Sequence, residues 1–285
     1  MNLLKDSIDM HIHSAPDFFN RKIDAFELAV RAREAGMKAI VLKSHHTPTT
    51  MLSWALSRVI NGIEIYGSIT LNNPSTGGIN PEAVKVAFKL GAKIVWMPTI
   101  SASNHLAHEG RSGGIKILRN GVVSGEVEET LNIIAENNGI VATGHLSVEE
   151  TVVLVDTARS IRVDKLIVTH PTLHIINMPI DVQKELARKG AYIEYCCYLT
   201  TRLGGLIKTK LIAEQIRTIG VENCILSSDL GQPENPYPDE GFNIFLKNLL
   251  DEGISMEELK IMTSINPAKL LQLKASPFRA GRRSE

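Results

Sequence analysis

The sequence predicts an α/β fold closed into a (β/α)8 TIM barrel, and three observations carry the prediction. Eight short runs of apolar, largely β-branched residues recur along the chain, and amphipathic segments of helical period separate them. Several of those segments stop at a glycine, as helices leading into a turn do. The 285 residues are close to the roughly 250 that eight βα units require. Runs apolar on both faces suit parallel strands covered by helices. An open, doubly wound sheet has the same alternation, and the barrel is preferred because of where the polar residues fall.

The elements follow in order. Strand one is SIDMHIH (7–13), and its helix IDAFELAVRAREAG runs to Gly36. Strand two is KAIVLKSH (38–45) and strand three EIYGSITL (64–71), followed by the helix PEAVKVAFKLG up to Gly91. Strand four is KIVWMPT (93–99), strand five GIVATGH (139–145) and strand six KLIVTHP (165–171). Strand seven is AYIEYC (191–196) and strand eight NCILSSDLG (223–231). Ser147 with Glu150 and Ser255 with Glu258 have the spacing of capping boxes and mark two helix starts. One stretch breaks the rhythm: Thr99 to Ser124 exceeds the usual βα loop of about 2–6 residues. Its His105, His108, Glu109 and Arg111 suggest a lid or substrate loop, with room for a small hairpin. No Pro-, Gly- or Ser-rich linker divides the chain, so 1–285 reads as a single domain whose last residues, 275–285, form a basic tail with Arg279, Arg282 and Arg283.

Composition narrows the function classes. Lys plus Arg and Asp plus Glu are both 31, which gives no charge to favour nucleic acid or a membrane surface. Three cysteines, two of them adjacent at 196 and 197, make no disulfide framework and suit a reducing compartment. No apolar run approaches the roughly 18 residues of a membrane helix. A soluble, cytoplasmic protein acting on a small molecule is expected, with homo-oligomer formation left open.

The chemistry collects at strand ends. On strand one, alternation places Asp9, His11 and His13 on one face. His145 closes strand five, His170 lies near the end of strand six and Asp229 ends strand eight. In a barrel those carboxyl ends form one mouth, where active sites sit. Burying such groups together without a cation would leave polar atoms unpaired, and imidazoles suit Zn, Ni, Fe and similar ions. Lys43 and His45 end strand two on a shared face, and Lys43 is a candidate carbamate donor, oxyanion donor or carboxylate anchor. His105 is a candidate further ligand, and Arg111 and Arg21 are candidate anchors for an anionic substrate. Glu194 reads as a solvated or capped carboxylate, Cys196 and Cys197 as small buried hydrophobes, and His46 as structural or exposed.

Taken together, DMHIH on strand one, TGH on strand five, VTHP on strand six, SSD on strand eight and MTSINPAKLLQL (262–273) resemble the amidohydrolase superfamily over the whole chain. The resemblance implies that His11, His13, His145 and His170 are metal ligands or hold the metal's water. It makes Asp229 the last ligand and the proton-transfer carboxylate, with His170 a second catalytic candidate. It also implies one or two divalent metals per chain, Zn first with Mn, Fe or Ni as alternatives. Strand four, KIVWMPT, departs from the pattern, because it offers no bridging lysine or glutamate for a second metal. The activity implied is metal-dependent hydrolysis of an amide, lactam, lactone or related ester. Decarboxylase or lyase chemistry on the same scaffold, and a non-catalytic ligand-binding barrel, are the alternatives.

Overall fold

The computed structural model describes residues 2–273, and the tail expected over 275–285 lies outside the described residues. Eight strands form one parallel sheet in chain order: β1 (Ile8–Ile12), β2 (Ala39–Leu42), β3 (Glu64–Thr70), β4 (Ala92–Trp96), β5 (Ile140–Ala142), β6 (Leu166–Val168), β7 (Tyr192–Cys196) and β8 (Cys224–Ser227). The sheet returns on itself just past the strand ends, where Asp229 N donates to His11 O at 2.7 Å and His13 N donates to Leu230 O at 2.9 Å. Asp9 adds to the seam, since its Oδ1 accepts from Ser228 N at 3.1 Å. The fold is the (β/α)8 barrel that the sequence predicts.

One helix follows each strand: α1 (Ala25–Glu34), α2 (Thr50–Val59), α3 (Pro81–Lys89), α4 (Gly125–Glu136), α5 (Val148–Ser160), α6 (Ile180–Arg188), α7 (Thr209–Ile219) and α8 (Pro238–Asp251). Gly36 and Gly91 stand just after α1 and α3 at φ 79° and 90°, the left-handed region that a side chain disfavours. Both capping boxes form, Ser147 at the start of α5 and Ser255 at the start of Met256–Lys260.

Apolar side chains make two layers. Ile8, Ala39, Val41, Ile94, Ile140, Ile167 and Ile225 fill the barrel, while Ile40, Leu42, Val95, Val141 and Ile193 face out toward the helices. The C-terminal Asn-Pro-Ala segment closes the bottom. Asn266 Nδ2 donates to Val221 O at 2.9 Å and Cys224 O at 2.8 Å, ahead of and at the start of β8, and Leu270 and Leu271 join the inner layer. Burying one such leucine stabilises by about 1.5–3 kcal/mol.

Strict alternation fails on β1. Ile8 pairs with Ala39 and Asp9 with Ile40, but the next partners are Ile12 and Leu42, so β1 holds one extra residue. Ile8 and Met10 point into the barrel, whereas Ile12 joins the outer layer. This bulge turns His11 and His13 inward and leaves Asp9, paired with outward-facing Ile40, on the other side. The shared face expected for Asp9, His11 and His13 is thereby corrected. A period-2 reading cannot register an inserted residue, and bulges cluster beside active sites.

The strands that carry the other polar residues are shorter than expected. His145, His170 and Asp229 lie past β5, β6 and β8 in irregular backbone, with φ of 27° at His170 and 50° at Asp229. Conformations of this kind cost energy and concentrate at functional sites. The long insertion after β4 is also built. It holds a short helix, Ser103–His108, and the expected small hairpin, Leu118–Arg119 against Val122–Val123, with Asn120 and Gly121 both at positive φ in its turn.

Candidate functional site

Two imidazoles meet one carboxylate oxygen at the mouth of the barrel. His11 Nε2 lies 3.0 Å and His13 Nε2 3.2 Å from Asp229 Oδ1, and all three residues are buried. Their donor atoms lie close enough together to share one cation. A tetrahedral site with bonds of about 2.0–2.1 Å has edges of about 3.3 Å, so the spacing fits a cation held by two nitrogens and an oxygen. Burial works to raise the Asp229 carboxyl, but the charge of His11 and the hydrogen bonds from His11 and His13 hold it well below the usual carboxylate range. It stays ionised at neutral pH.

Glu194, on β7, backs His11. Its Oε2 lies 3.2 Å from His11 Nδ1 and its Oε1 accepts from Ser227 Oγ at 2.8 Å, with both acidic and imidazole side chains fully buried. The expectation that Glu194 is solvated or merely capped is therefore corrected. On β7 it shares the inward face with Tyr192 and Cys196, a register its own short strand left ambiguous. With its Nδ1 proton given to Glu194, His11 would release its Nε2 proton, which faces Asp229, when a cation takes its place, and this carboxylate–imidazole pairing is what orients a metal-binding histidine. Burial pulls the His11 pKa down, yet the charge of Asp229, with that of Glu194, leaves it raised. Cys196 Sγ approaches the same Nδ1 at 3.9 Å, and burial holds its thiol well above the usual range, so it packs as a neutral group.

Lys43 is buried and its Nζ sits 2.8 Å from His11 Nε2 and 4.2 Å from the centre of the Trp96 ring. Burial lowers its pKa. Trp96 occupies the inward position at the end of β4, and its buried Nε1 has no partner among the described residues. The strand-four departure thus has a physical form: an indole fills that wall.

A cavity of about 220 Å³ opens above these groups, lined by His13, Arg21, Lys43, His45, His105, His145, His170 and Asp229 together with Phe19, Leu173 and Tyr198. His45 Nδ1 is 2.8 Å from Thr99 Oγ1. His170 is pushed down to about 4 by burial, and its Nδ1 is buried without a partner among the described residues. Burial also holds His45 and His145 well below the usual imidazole range. This set of neutral imidazoles, one of them orphaned, matches the donor chemistry of a divalent cation. Arg21 reaches the cavity through His13, with NH2 3.2 Å from His13 Nδ1, and it is held by Asp17 Oδ2 at 2.6 Å. Because Arg21 can only donate, His13 accepts at Nδ1 and gives its proton to Asp229. A cation at His13 Nε2 would displace that proton, and metal sites release protons on loading.

Placement of the remaining candidates is mixed. His105, on the loop helix, enters the cavity and meets His145, Nδ1 to Nδ1, at 2.7 Å. Arg111 does not reach the cavity. Its side chain is 65% exposed and pairs with Glu109 outside, which corrects its reading as a substrate anchor. His46 packs against Phe18 and Phe19 and bonds Asp17 at 3.0 Å. A larger groove of about 570 Å³ lies between the loops after β7 and β8, but among the described residues no histidine lines it.

The model of a family described as a family of unknown function, DUF6282, matches residues 6–194, a span that holds the site's histidines, Arg21, Lys43 and Glu194 but not Asp229. No curated protein matches the chain. Solved structures share the fold. An amidohydrolase from Pseudomonas aeruginosa is 14% identical, with 95% of this chain and 97% of that one covered at a TM-score of 0.65. A protein described as a candidate 2-pyrone-4,6-dicarboxylic acid hydrolase from Pseudomonas putida is 16% identical, covering 95% and 99% at 0.65. A 2,6-dihydroxybenzoate decarboxylase from Rhizobium is 10% identical, covering 95% and 100% at 0.57. At these identities the likeness is one of fold.

Proposed function

The chain belongs to the DUF6282 family, and from the site it carries we propose that it is a metal-dependent hydrolase of a small, anionic amide, lactam, lactone or ester. The observation that carries this reading is the convergence of His11 Nε2 and His13 Nε2 on Asp229 Oδ1 at the base of the cavity in the barrel mouth. His11, His13 and Asp229 would hold the cation, with His145 and His170 facing it across the cavity. A divalent ion there, Zn²⁺ first with Mn²⁺, Fe²⁺ or Ni²⁺ as alternatives, supplies Lewis acidity that brings the pKa of water toward neutrality and polarises a carbonyl.

The residues of the chain do the rest. Asp229, ionised at neutral pH, accepts the proton of the attacking water and returns it to the leaving group. His45, neutral and on the cavity wall, is placed to donate to a carbonyl oxygen as charge develops on it. Lys43 and Arg21 are the cations that face a substrate carboxylate. At about 220 Å³ the cavity is below the range of about 300–1,000 Å³ typical for drug-sized ligands, which favours a small metabolite.

Metal quantification coupled to a screen of small amides, lactones and carboxylates tests the reading. Stoichiometric metal and turnover that is lost in Asp229→Asn are expected. A chain that binds no metal after supplementation, or an Asp229→Asn variant with unchanged turnover, refutes it. Decarboxylation of a carboxylated substrate is the second reading, favoured by Trp96 in place of a strand-four ligand, since that leaves a one-metal site beside two cations. Release of CO2 rather than a hydrolysis product in the same screen decides between them.

A further inference from the structure

Loop residues that the proposed mechanism does not use make a directed chain of hydrogen bonds onto the site. His105 and Glu109 stand four residues apart, at the loop helix and its C-cap, and so share a face. His105 Nε2 lies 3.2 Å from Glu109 Oε1, and Arg111 holds the other Glu109 oxygen at 2.9 Å. On its inner side His105 Nδ1 meets His145 Nδ1 at 2.7 Å, with the two ring planes within 20° of parallel. Asn104, the preceding residue, donates to His145 O at 3.2 Å and to Ile175 O at 3.0 Å, which seats the loop helix on the ends of β5 and β6.

The direction of these bonds is fixed from the outside inward. Glu109 is a carboxylate, its pKa lowered first by the Arg111 hydrogen bond, and a carboxylate can only accept. His105 therefore donates from Nε2. One hydrogen fits between the two Nδ1 atoms at 2.7 Å, and an imidazole that carries one proton and donates it at one nitrogen accepts at the other. The hydrogen in the short Nδ1–Nδ1 contact then belongs to His145.

We infer that Glu109 and His105 are positioning residues that lock His145 in the tautomer with its proton on Nδ1, so that Nε2 meets the cavity as a lone pair. The insertion after β4 thus acts as an outer orienting shell for a strand-five histidine, supplied by a loop in place of a barrel strand. Arg111 belongs to the same device, as the cation that keeps Glu109 charged and in place. The tautomer stands on the hydrogen bonds alone; its use, to present Nε2 to a cation or to a substrate donor, rests on the function proposed above.

The test reads the tautomer directly, by long-range ¹H–¹⁵N correlation of the histidine rings in the full-length ¹⁵N-labelled chain, before and after metal removal, with His145 assigned by its absence in His145→Gln. The expected result is a proton on His145 Nδ1 in the wild type under both conditions. In His105→Leu, which offers no acceptor, that single pattern is lost to a mixture; in His105→Gln, whose amide oxygen accepts, it is retained. Glu109→Ala, a surface change, partly scrambles it by freeing the His105 tautomer. A His145 proton on Nε2 in the wild type, or a His105→Leu spectrum unchanged from it, overturns the inference. Metal content and turnover report separately on the proposed function, so failure of one leaves the other readable.

Discussion

Replacing Glu194 by Gln keeps the shape of the site and removes one charge. The Glu194 carboxylate touches His11 Nδ1 at 3.2 Å and Ser227 Oγ at 2.8 Å, with no exposure of either the acid or the imidazole. A Gln oxygen can still accept from His11, and its amide can donate to Ser227, so both contacts have a substitute. What disappears is the anion that makes His11 a stronger base. Losses of orienting partners of this kind weaken metal binding by about 10–100-fold, or about 1.4–2.7 kcal/mol. A pH signature accompanies the loss. Glu194 is among the groups that raise the His11 pKa, so in the wild type protons compete with the cation for His11. Gln relieves part of that competition, and the deficit of the variant should therefore be smallest at low pH and grow toward its full size above neutrality. The assay is a competition titration with a chromophoric chelator from pH 6 to 8.5, with circular dichroism to establish that the fold is retained. Affinity within about twofold of the wild type across that range would refute the role assigned to Glu194.

Other perturbations follow from the same contacts. Burial raises the Asp9 carboxyl from 3.8 to about 6; an acid whose folded pKa lies above its unfolded value contributes stability at low pH that is lost as pH rises through the window between them. The cost approaches about 3 kcal/mol above pH 6, so Asp9→Asn should compare more favourably with wild type at pH 8 than at pH 4 in denaturant melts of the metal-free chain, and a pH-independent difference would contradict this. Leu270→Ala, at the barrel floor, should cost about 2–5 kcal/mol in urea unfolding while metal stoichiometry stays unchanged; loss of metal without loss of stability would show that the C-terminal helix does something other than fill the bottom. Arg21→Met should weaken binding of small carboxylates by about 10–150-fold, as one charged hydrogen bond of about 1.5–3 kcal/mol implies, whereas Arg111→Met should not, as measured by calorimetry.

Much of the site was legible because its parts sit in short, readable contexts. His145, His170 and Asp229 each end an apolar run, and an apolar run ending in a polar residue is what the carboxyl end of a buried strand looks like. Glu194 was missed because β7 reads YIEYC, in which Tyr, Glu and Cys alternate with equally plausible partners and nothing local says which set faces inward. Its signal was present only in combination: a carboxylate on the strand next to SSD, at the depth of His11. Arg111 was overread because charge in a long loop carries no direction, and the fold spends that arginine on Glu109.

By itself the sequence determined the barrel, the order of its strands, the helix caps and which strand ends bear polar groups, because hydrophobic period, glycine stops and capping boxes are local properties of the chain. Only the tertiary structure decided the contacts that give those groups their chemistry. A single extra residue in β1, visible only against its pairing with β2, turns His11 and His13 inward and Asp9 away. The closure of β8 onto β1 brings Asp229 to both imidazoles across more than 200 residues of chain. The seat of the loop on β5 gives His145 its partner. Register, closure and loop docking depend on pairs of residues far apart in sequence, and their energies exist only once both members are in place.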